Sequence, residues 1–526
     1  MSAPTRDVQA YLVGGGVASL AAAVYLIRDG NVPGANIHIL EEAKVGGSLD
    51  AGGDAETGYT MRGSRMYGPA YVLTYDLLSG IPSLDDPSIS VTQDTLRFWE
   101  AAPWLTTARL VEHGEIVDLT DLGLSNKDRV DLIELMLRAE DLLGAKRIDE
   151  CFDPHFFESN FWLIWCSMFG FEPWHSAAEL RRYLLRFLRL FPDLPTLTLI
   201  QSTRYNGYDS IIRPLVRWLE QHGVQIETGV HVVDLELAPV DGGMAVRRVE
   251  VLRDGERGSI DVDEQDLVIV TIGSMTADAS FGSMVAPAVG RAERIGGSWA
   301  LWERLAEKGA GFGRPATFCG HTDRTSWVTF TVTHSDDRFV SLMERLGGRP
   351  AGQGGLVTLK GSSWGLTFHL YHPPAYAEQP RGVHVWWGYG LFPDRPGDYV
   401  PKTMRQCTGE EILVETLSHL GFQAELPALL ETANCVPCLL PYTTSQFMPR
   451  DTGDRPDVVP AGTTNLALVG QYCEIPDNVV YTVEYSVQSA RIAVSTLLGL
   501  PQELPPTYQG LEHPNALVGA MRFVLG

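Results

Sequence analysis

Three consecutive glycines, Gly14, Gly15 and Gly16, follow the apolar run Ala10-Tyr11-Leu12-Val13 and precede Val17-Ala18-Ser19. No single helix or strand accommodates that junction, because glycine weakens regular elements and frees the backbone to turn. The pattern predicts a short buried strand, a tight turn, and a helix running through Val24 to Arg28. Residues 10 to 27 carry no charge, and a run of that length sits near the lower limit for a membrane span. The glycine triplet argues against one continuous helix there. A second strand, Asn36 to Leu40, ends at Glu41. Strand, glycine turn, helix, strand and terminal acid together make the signature of a dinucleotide-binding unit. Glycine lets the backbone approach a pyrophosphate, and the helix N-terminus offers free N–H groups and a positive dipole end. Ser19 stands where the G-x-G-x-x-G pattern has its third glycine, and is small enough for close helix–strand packing. Glu41 is expected to accept hydrogen bonds from a ribose.

The segments that follow point to FAD rather than to a nicotinamide cofactor. Gly46-Gly47-Ser48 comes just after Glu41, and Arg62-Gly63-Ser64-Arg65 follows an acidic loop. Two arginines suit a long pyrophosphate ligand. A strand from Leu267 to Ile272 ends at Gly273. A late strand, Leu466 to Val469, ends at Gly470-Gln471, and a helical segment from Val483 to Leu498 follows it. A strand–turn–helix so far downstream is expected to close over the flavin end. The predicted fold class is α/β: a discontinuous Rossmann-like FAD-binding domain, a mixed α+β substrate domain and an inserted helical cap. The FAD-binding pieces are expected at 1–85, 201–290 and 441–500. The mainly helical cap falls at 86–200, the sheet-bearing substrate domain at 291–440 and a tail at 501–526.

The insertions look suited to an apolar ligand. Eight aromatic residues lie between Phe156 and Trp174. Glu179 to Phe191 reads as a helix with Leu180, Tyr183, Leu184 and Phe187 on one face and Arg182, Arg186 and Arg189 on another. By composition alone, Tyr183 reads as a core tyrosine. Asp118 to Lys146 reads as a charged, solvated helical region. Trp327 to Thr333, Gly365 to Tyr371 and Val383 to Tyr389 read as strands. His369, His372 and His384 lack metal-ligand spacing, and Cys435 and Cys438 form one C-x-x-C without a second pair, so no metal is expected. With 41 Lys and Arg against 65 Asp and Glu, the net charge of −24 argues against nucleic acid as a partner. Seven Cys among 526 residues do not make a disulfide framework. No basic, apolar targeting segment is evident, so a cytoplasmic, soluble protein is expected. Ala516, Leu517, Ala520, Met521 and Val524 could form the apolar face of a C-terminal helix. Packing on the protein is favoured over bilayer contact, which the acidic charge would keep weak.

At this point a family resemblance becomes visible. The matching segments include Tyr25-Leu26-Ile27-Arg28-Asp29-Gly30, Gly46-Gly47-Ser48-Leu49-Asp50, Ser159-Asn160-Phe161-Trp162 and Trp174-His175-Ser176. Val270-Thr271-Ile272-Gly273-Ser274-Met275-Thr276, Phe447-Met448-Pro449-Arg450, Gly453-Asp454-Arg455-Pro456 and Ser489-Ala490-Arg491-Ile492-Ala493 continue the series in order. The chain resembles the oleate hydratases, the FAD-dependent fatty-acid hydratases also called myosin-cross-reactive antigens. The resemblance implies addition of water to the cis-9 double bond of an oleate-like unsaturated fatty acid, giving a 10-hydroxy acid with FAD bound and no net redox. It assigns the proton-donating tyrosine to Tyr183 and extends the cofactor contacts to Asn478 and Thr482. Monomer and homodimer are both compatible with it.

Two departures accompany the resemblance. The family motif Arg-Gly-Gly-Arg-Glu is Arg62-Gly63-Ser64-Arg65-Met66 here, so Met66 stands as the neighbour of the water site in place of a glutamate. The family's carboxylate anchors Gln, Thr, Asn and His fall on Gly207, His369, Tyr371 and Ala375, of which Gly207, His369 and Tyr371 are retained as substrate-binding candidates. The alternatives are a redox flavoenzyme of the amine oxidase or carotenoid desaturase type, and a lipid-binding flavoprotein without hydratase activity.

Overall fold

The computed structural model describes residues 7–291, 296–501 and 510–525. The first six residues, on which the expectation of no targeting segment partly rests, lie outside these, as does the side chain of Val524.

Five parallel strands make the first sheet, in the order Leu466–Val469, Leu267–Thr271, Ala10–Val13, Ile37–Glu41 and Gln225–Thr228. Ala10, Leu12, Ile269 and Val270 are wholly buried, as expected for a parallel sheet covered on both faces. The helix Val17–Arg28 covers one face and itself packs against the helix Val483–Leu497. Its run Leu20-Ala21-Ala22-Ala23 is buried completely, the small side chains allowing close approach on both sides. The chain leaves Ala10–Val13 toward Ile37–Glu41 on one side, while Leu267–Thr271 adds on the other. A crevice therefore opens at the carboxyl ends of these strands, where open α/β sheets bind ligands. An antiparallel meander, Val230–Val240, Gly243–Arg253 and Glu256–Asp261, flanks this sheet and is covered by the helix Gly297–Lys308.

The second sheet has eight strands, in the order Ser280–Phe281, Ala433–Leu440, Trp327–His334, His384–Gly390, Leu366–Leu370, Leu356–Leu359, Leu110–Glu112 and Glu115–Ile116. Its pairings are antiparallel except where Thr358 meets Leu110. Trp327–His334 is buried along its length, and its two faces differ. Val328, Phe330 and Val332 join a core with Phe339, Trp386 and Leu413. On the other face, Thr333 and Thr331 accept hydrogen bonds from the backbone N–H groups of Tyr59 and Met61. The hairpin Ala51–Met61 of the nucleotide unit is thereby fastened to the second sheet. Leu110–Glu112 and Glu115–Ile116 lie within 86–200, so that segment supplies the last two strands of this sheet as well as helices.

Two helical expectations need correction. The helix containing Tyr183 runs from Ala177 to Arg186 and gives way to a 3-10 turn at Leu188–Asp193. Pro192 has no N–H to donate and would clash with the carbonyl one α-turn back. In the charged region from 118 to 146, only Asn126–Leu137 is a regular α-helix, started by a capping box between Ser125 and Asp128. The C-terminal helix Pro514–Leu525 packs on the 3-10 turn, with Ala520 buried and Phe523 meeting Phe191 edge to face at 6.5 Å. No helix among the described residues is long and apolar enough to cross a membrane.

Candidate active site

Two cavities share a wall. The first, about 320 Å³, occupies the crevice of the parallel sheet and is lined by Gly14, Gly15, Gly16, Glu41, Gly47, Ser48, Arg62, Gly273 and Gly470 among others. Gly14 has a φ of +97°, which non-glycine residues avoid, and a Cβ on Gly15 would press against the Glu41 carboxylate at 3.0 Å. A Cβ on Gly16 would meet nothing within 4 Å and would project into open space. The turn thus has the shape that a pyrophosphate needs. Glu41 Oε2 accepts from Gly15 N at 2.5 Å and Oε1 from Ala43 N at 2.8 Å, locking the strand end to the turn. Burial pushes this carboxyl up, against the pull of these N–H groups. Each carboxylate oxygen keeps a second lone-pair direction for a ribose hydroxyl. Buried Nε of Arg62 has no hydrogen-bond partner among the described residues. These features fit an FAD-type dinucleotide.

Other expected cofactor residues support the cavity without lining it. Ser19 bonds Thr271 across the helix–strand contact at 3.0 Å, and Gly46 N donates to Gly15 O at 2.9 Å. Gly63 lines neither cavity; a Cβ there would collide with the Arg65 guanidinium at 2.4 Å. Asn478 is buried and committed to Gln488 and Val479 N, so it too lines neither. Ser64 and Thr482 face the second cavity instead.

That second cavity, about 100 Å³, is mostly apolar. Trp327, Trp387 and Tyr389 of the second sheet form one wall, Met168 and Phe169 another, and the segment from Ser64 to Tyr71 a third. Trp327 and Tyr389 stack at 4.8 Å. Tyr183 and Met66 both line it. Ser176 caps the Tyr183 helix by accepting from Glu179 N. The Tyr183 ring is held edge-on by Phe169 and Phe171, and its hydroxyl donates to Val480 O at 2.5 Å. Burial drives this phenol well above its ordinary pKa. Arg186 and Arg189 also line the cavity, and Arg186 donates to Ala70 O at 3.0 Å.

Arg182 and Arg204 turn away from the cavity. Arg182 pairs with Glu140 at 2.6 Å and Glu474 at 2.8 Å, and Arg204 pairs with Asp94 at 3.0 Å. One turn before Tyr183, fully buried Glu179 takes Arg455 at 2.9 Å and Arg450 at 3.1 Å. Burial alone would raise the Glu179 carboxyl, but Arg455, Arg450 and Arg182 override it and bring it down to about 2.

The expected substrate anchors do not line the cavity. Gly207 lies against Leu49 at the start of the segment Tyr208–Ile212. His369 and Tyr371 stand behind Ser64: Tyr371 donates to Ser64 Oγ at 2.7 Å, and His369 Nδ1 lies 3.1 Å from the same oxygen. Sequence reasoning missed Tyr481 and read Arg65 as a neighbour of the pyrophosphate; the two residues form the shared wall. Tyr481 lines the apolar cavity with a φ of 68°, and Arg65 lies over its ring while reaching Met275 of the nucleotide cavity at 3.5 Å. Val-Val-Tyr-Thr reads locally as a strand, so nothing in it announced a strained turn.

Fold and cavities together define a dinucleotide-binding α/β protein with an apolar chamber set against the nucleotide crevice. Solved structures share the fold: a redesigned putrescine oxidase (TM-score 0.53, 12% identity, 93% of this chain and 99% of that one) and the cyclohexylamine oxidase of Brevibacterium oxydans IH-35A (TM-score 0.52, 12% identity, 94% and 99%). The chain belongs to the MCRA family, whose sequence profile matches residues 7–495. It is 38% identical over 515 residues to the oleate hydratase of Streptococcus pyogenes serotype M49 (strain NZ131), covering 95% of this chain and 87% of that protein. It is 31% identical over 538 aligned positions to the linoleate hydratase of Lactiplantibacillus plantarum, covering 94% of each.

Proposed function

We propose that this protein is an FAD-dependent hydratase that adds water to the cis-9 double bond of oleate-like unsaturated fatty acids. The observation that carries the reading is the shared apolar chamber: Tyr183 and Met66, distant in sequence, line one cavity against the nucleotide crevice. Membership in the MCRA family and the hydratase relatives support it. Gly14, Gly16, Glu41, Gly47, Ser48, Arg62, Gly273 and Gly470 would hold FAD, with Ser19 and Gly46 shaping the turn. When bound, the flavin supplies electrostatic stabilisation rather than net redox.

Tyr183 is the general acid. Its raised pKa keeps it fully protonated at neutral pH, and its proton goes to one alkene carbon. The other carbon takes the oxygen of a water beside Met66, and the surplus water proton returns to Tyr183 to restore the phenol. The aromatic walls exclude bulk water from the developing cation. Arg186 and Arg189 give an acidic protein local positive charge toward an anionic acid. This reading assigns FAD binding to 1–85, 201–290 and 441–500, substrate enclosure to 86–200 and 291–440, and a packing role to the tail. It takes the protein as cytoplasmic, monomeric or homodimeric, with at most weak peripheral membrane contact.

Tyr183→Phe tests the acid. The variant is expected to purify with its full FAD complement and to lose about a hundredfold or more in hydration rate. Near-normal turnover of oleate by that variant would overturn the assignment.

A further inference from the structure

We propose that Ser64, backed by His369 and Tyr371, receives the proton of the attacking water. The proposal rests on the hydratase reading above and supplies the group that Met66, with only a thioether, does not. Four departures from the resembling family, Ser64, Met66, His369 and Tyr371, meet at this point of the cavity wall.

Ser64 lines the apolar cavity two residues before Met66. Its oxygen lies 3.1 Å from His369 Nδ1 and accepts from the Tyr371 hydroxyl at 2.7 Å. His369 lies in the interior strand Leu366–Leu370 and Tyr371 just past its end; they are 1% and 4% exposed and line neither cavity, so they act through Ser64. Burial holds the His369 imidazole down at about 3, hence neutral at working pH. Its Nε2 has no hydrogen-bond partner among the described residues, which leaves Nδ1 as the working nitrogen.

A serine hydroxyl has one proton and two lone pairs. Tyr371 takes one lone pair. With His369 as the Nε2–H tautomer, the serine proton goes to Nδ1. The second lone pair is left for the cavity, where it accepts a hydrogen bond from water. That polarity is the one a nucleophile needs if it is to shed a proton while its oxygen pair forms the new C–O bond. As that bond forms, a water O–H bond breaks toward Ser64 Oγ, and the Ser64 O–H bond breaks toward His369 Nδ1. A protonated alcohol is a far stronger acid than an imidazolium, so even this weakened imidazole accepts the proton. His369, buried behind Ser64, returns the proton through Ser64 Oγ to a water in the cavity, which hands one on to the Tyr183 phenolate. The sum is alkene plus water to alcohol, with Tyr183, Ser64 and His369 all restored. Ser64 is the catalytic residue, and His369 and Tyr371 are positioning residues.

The FAD-loaded enzyme and its variants are compared with oleate under steady-state conditions. Ser64→Ala, which removes one oxygen and little volume, is expected to lower kcat about a hundredfold with KM unchanged. Tyr371→Phe is expected to lower kcat less, again without moving KM. In the double variant S64A/M66E the carboxylate replaces the relay and recovers at least about tenfold of the lost kcat, which a packing role for Ser64 would not allow. Wild-type kcat in S64A, a loss confined to KM, or no recovery by Met66→Glu overturns the relay while leaving the hydratase reading intact. Absence of hydroxy acid from the wild type overturns the hydratase reading itself and the relay with it.

Discussion

A phenol whose proton is already shared with Val480 O, inside a ring of Phe169, Phe171 and Phe447, is held in one orientation. Fixed orientation is what a weak acid needs if it is to protonate an alkene, because the barrier then contains little positioning entropy. The same aromatic contacts made Tyr183 look like core in the sequence, and by burial it is core. Spacing alone therefore gave no means of separating the two roles, and the family resemblance had to. At Gly16 the local signal was sufficient: a turn glycine with extended backbone (φ −81°) and an open cavity beyond. Valine fits that backbone, so Gly16→Val is expected to fold, with an apo melting temperature within about 4 °C of wild type. Its branched side chain fills the nucleotide crevice, and flavin absorbance of the purified variant should be nearly lost. Full FAD content would argue that the cofactor does not approach this turn. Met66→Glu is expected to keep its FAD and to hydrate oleate at least as fast as wild type. A collapse in FAD content would instead show Met66 packing against the flavin.

Elements that repeat a simple period were legible in the chain. The strands Ala10–Val13, Leu267–Thr271 and Leu466–Val469 are continuous apolar runs, and Trp327–His334 alternates as a sheet strand should. The short strands Leu110–Glu112 and Glu115–Ile116 were not legible, because two or three residues carry no period and Leu110–Glu112 takes its place in the sheet from Thr358 and Leu359 far downstream. The motifs around Arg450 and Arg455 were visible as residues but not as a device. Only the fold brings both arginines to Glu179, one turn from Tyr183, and Arg450 also to Glu474. Removing one partner of such a network leaves a buried charge uncompensated, so Arg455→Met should cost about 3–5 kcal/mol in chemical denaturation. A loss under about 1 kcal/mol would show that the site relaxes or admits water. Glu179 also sets a pH dependence. Its folded pKa, about 2, lies below the ordinary 4.5, so its contribution is complete above 4.5 and fades as pH falls toward 2. Thermal melts across that window should show falling stability.

At the scale of the whole molecule, the glycine turn and the late strand–helix announced one binding unit built from distant pieces. The parallel sheet assembles strands from residue 10 to residue 469. The apolar chamber was harder to foresee, since its walls come from stretches that meet only after folding: the turn after Met61, the helices around Phe169 and Tyr183, the eight-stranded sheet and the turn at Tyr481. Where the alignment's carboxylate anchors would lie was hidden for the same reason: Ser64 stands between His369, Tyr371 and the cavity. Oxidases share this fold, so architecture alone does not separate hydration from oxidation. One measurement does so directly: incubation of the FAD-loaded protein with oleate in heavy-oxygen water under anaerobic conditions, followed by mass spectrometry and flavin absorbance. The account predicts a hydroxy acid carrying one solvent oxygen and no substrate-driven flavin reduction. Flavin bleaching with a desaturated or oxidised product, and no labelled hydroxy acid, would contradict it.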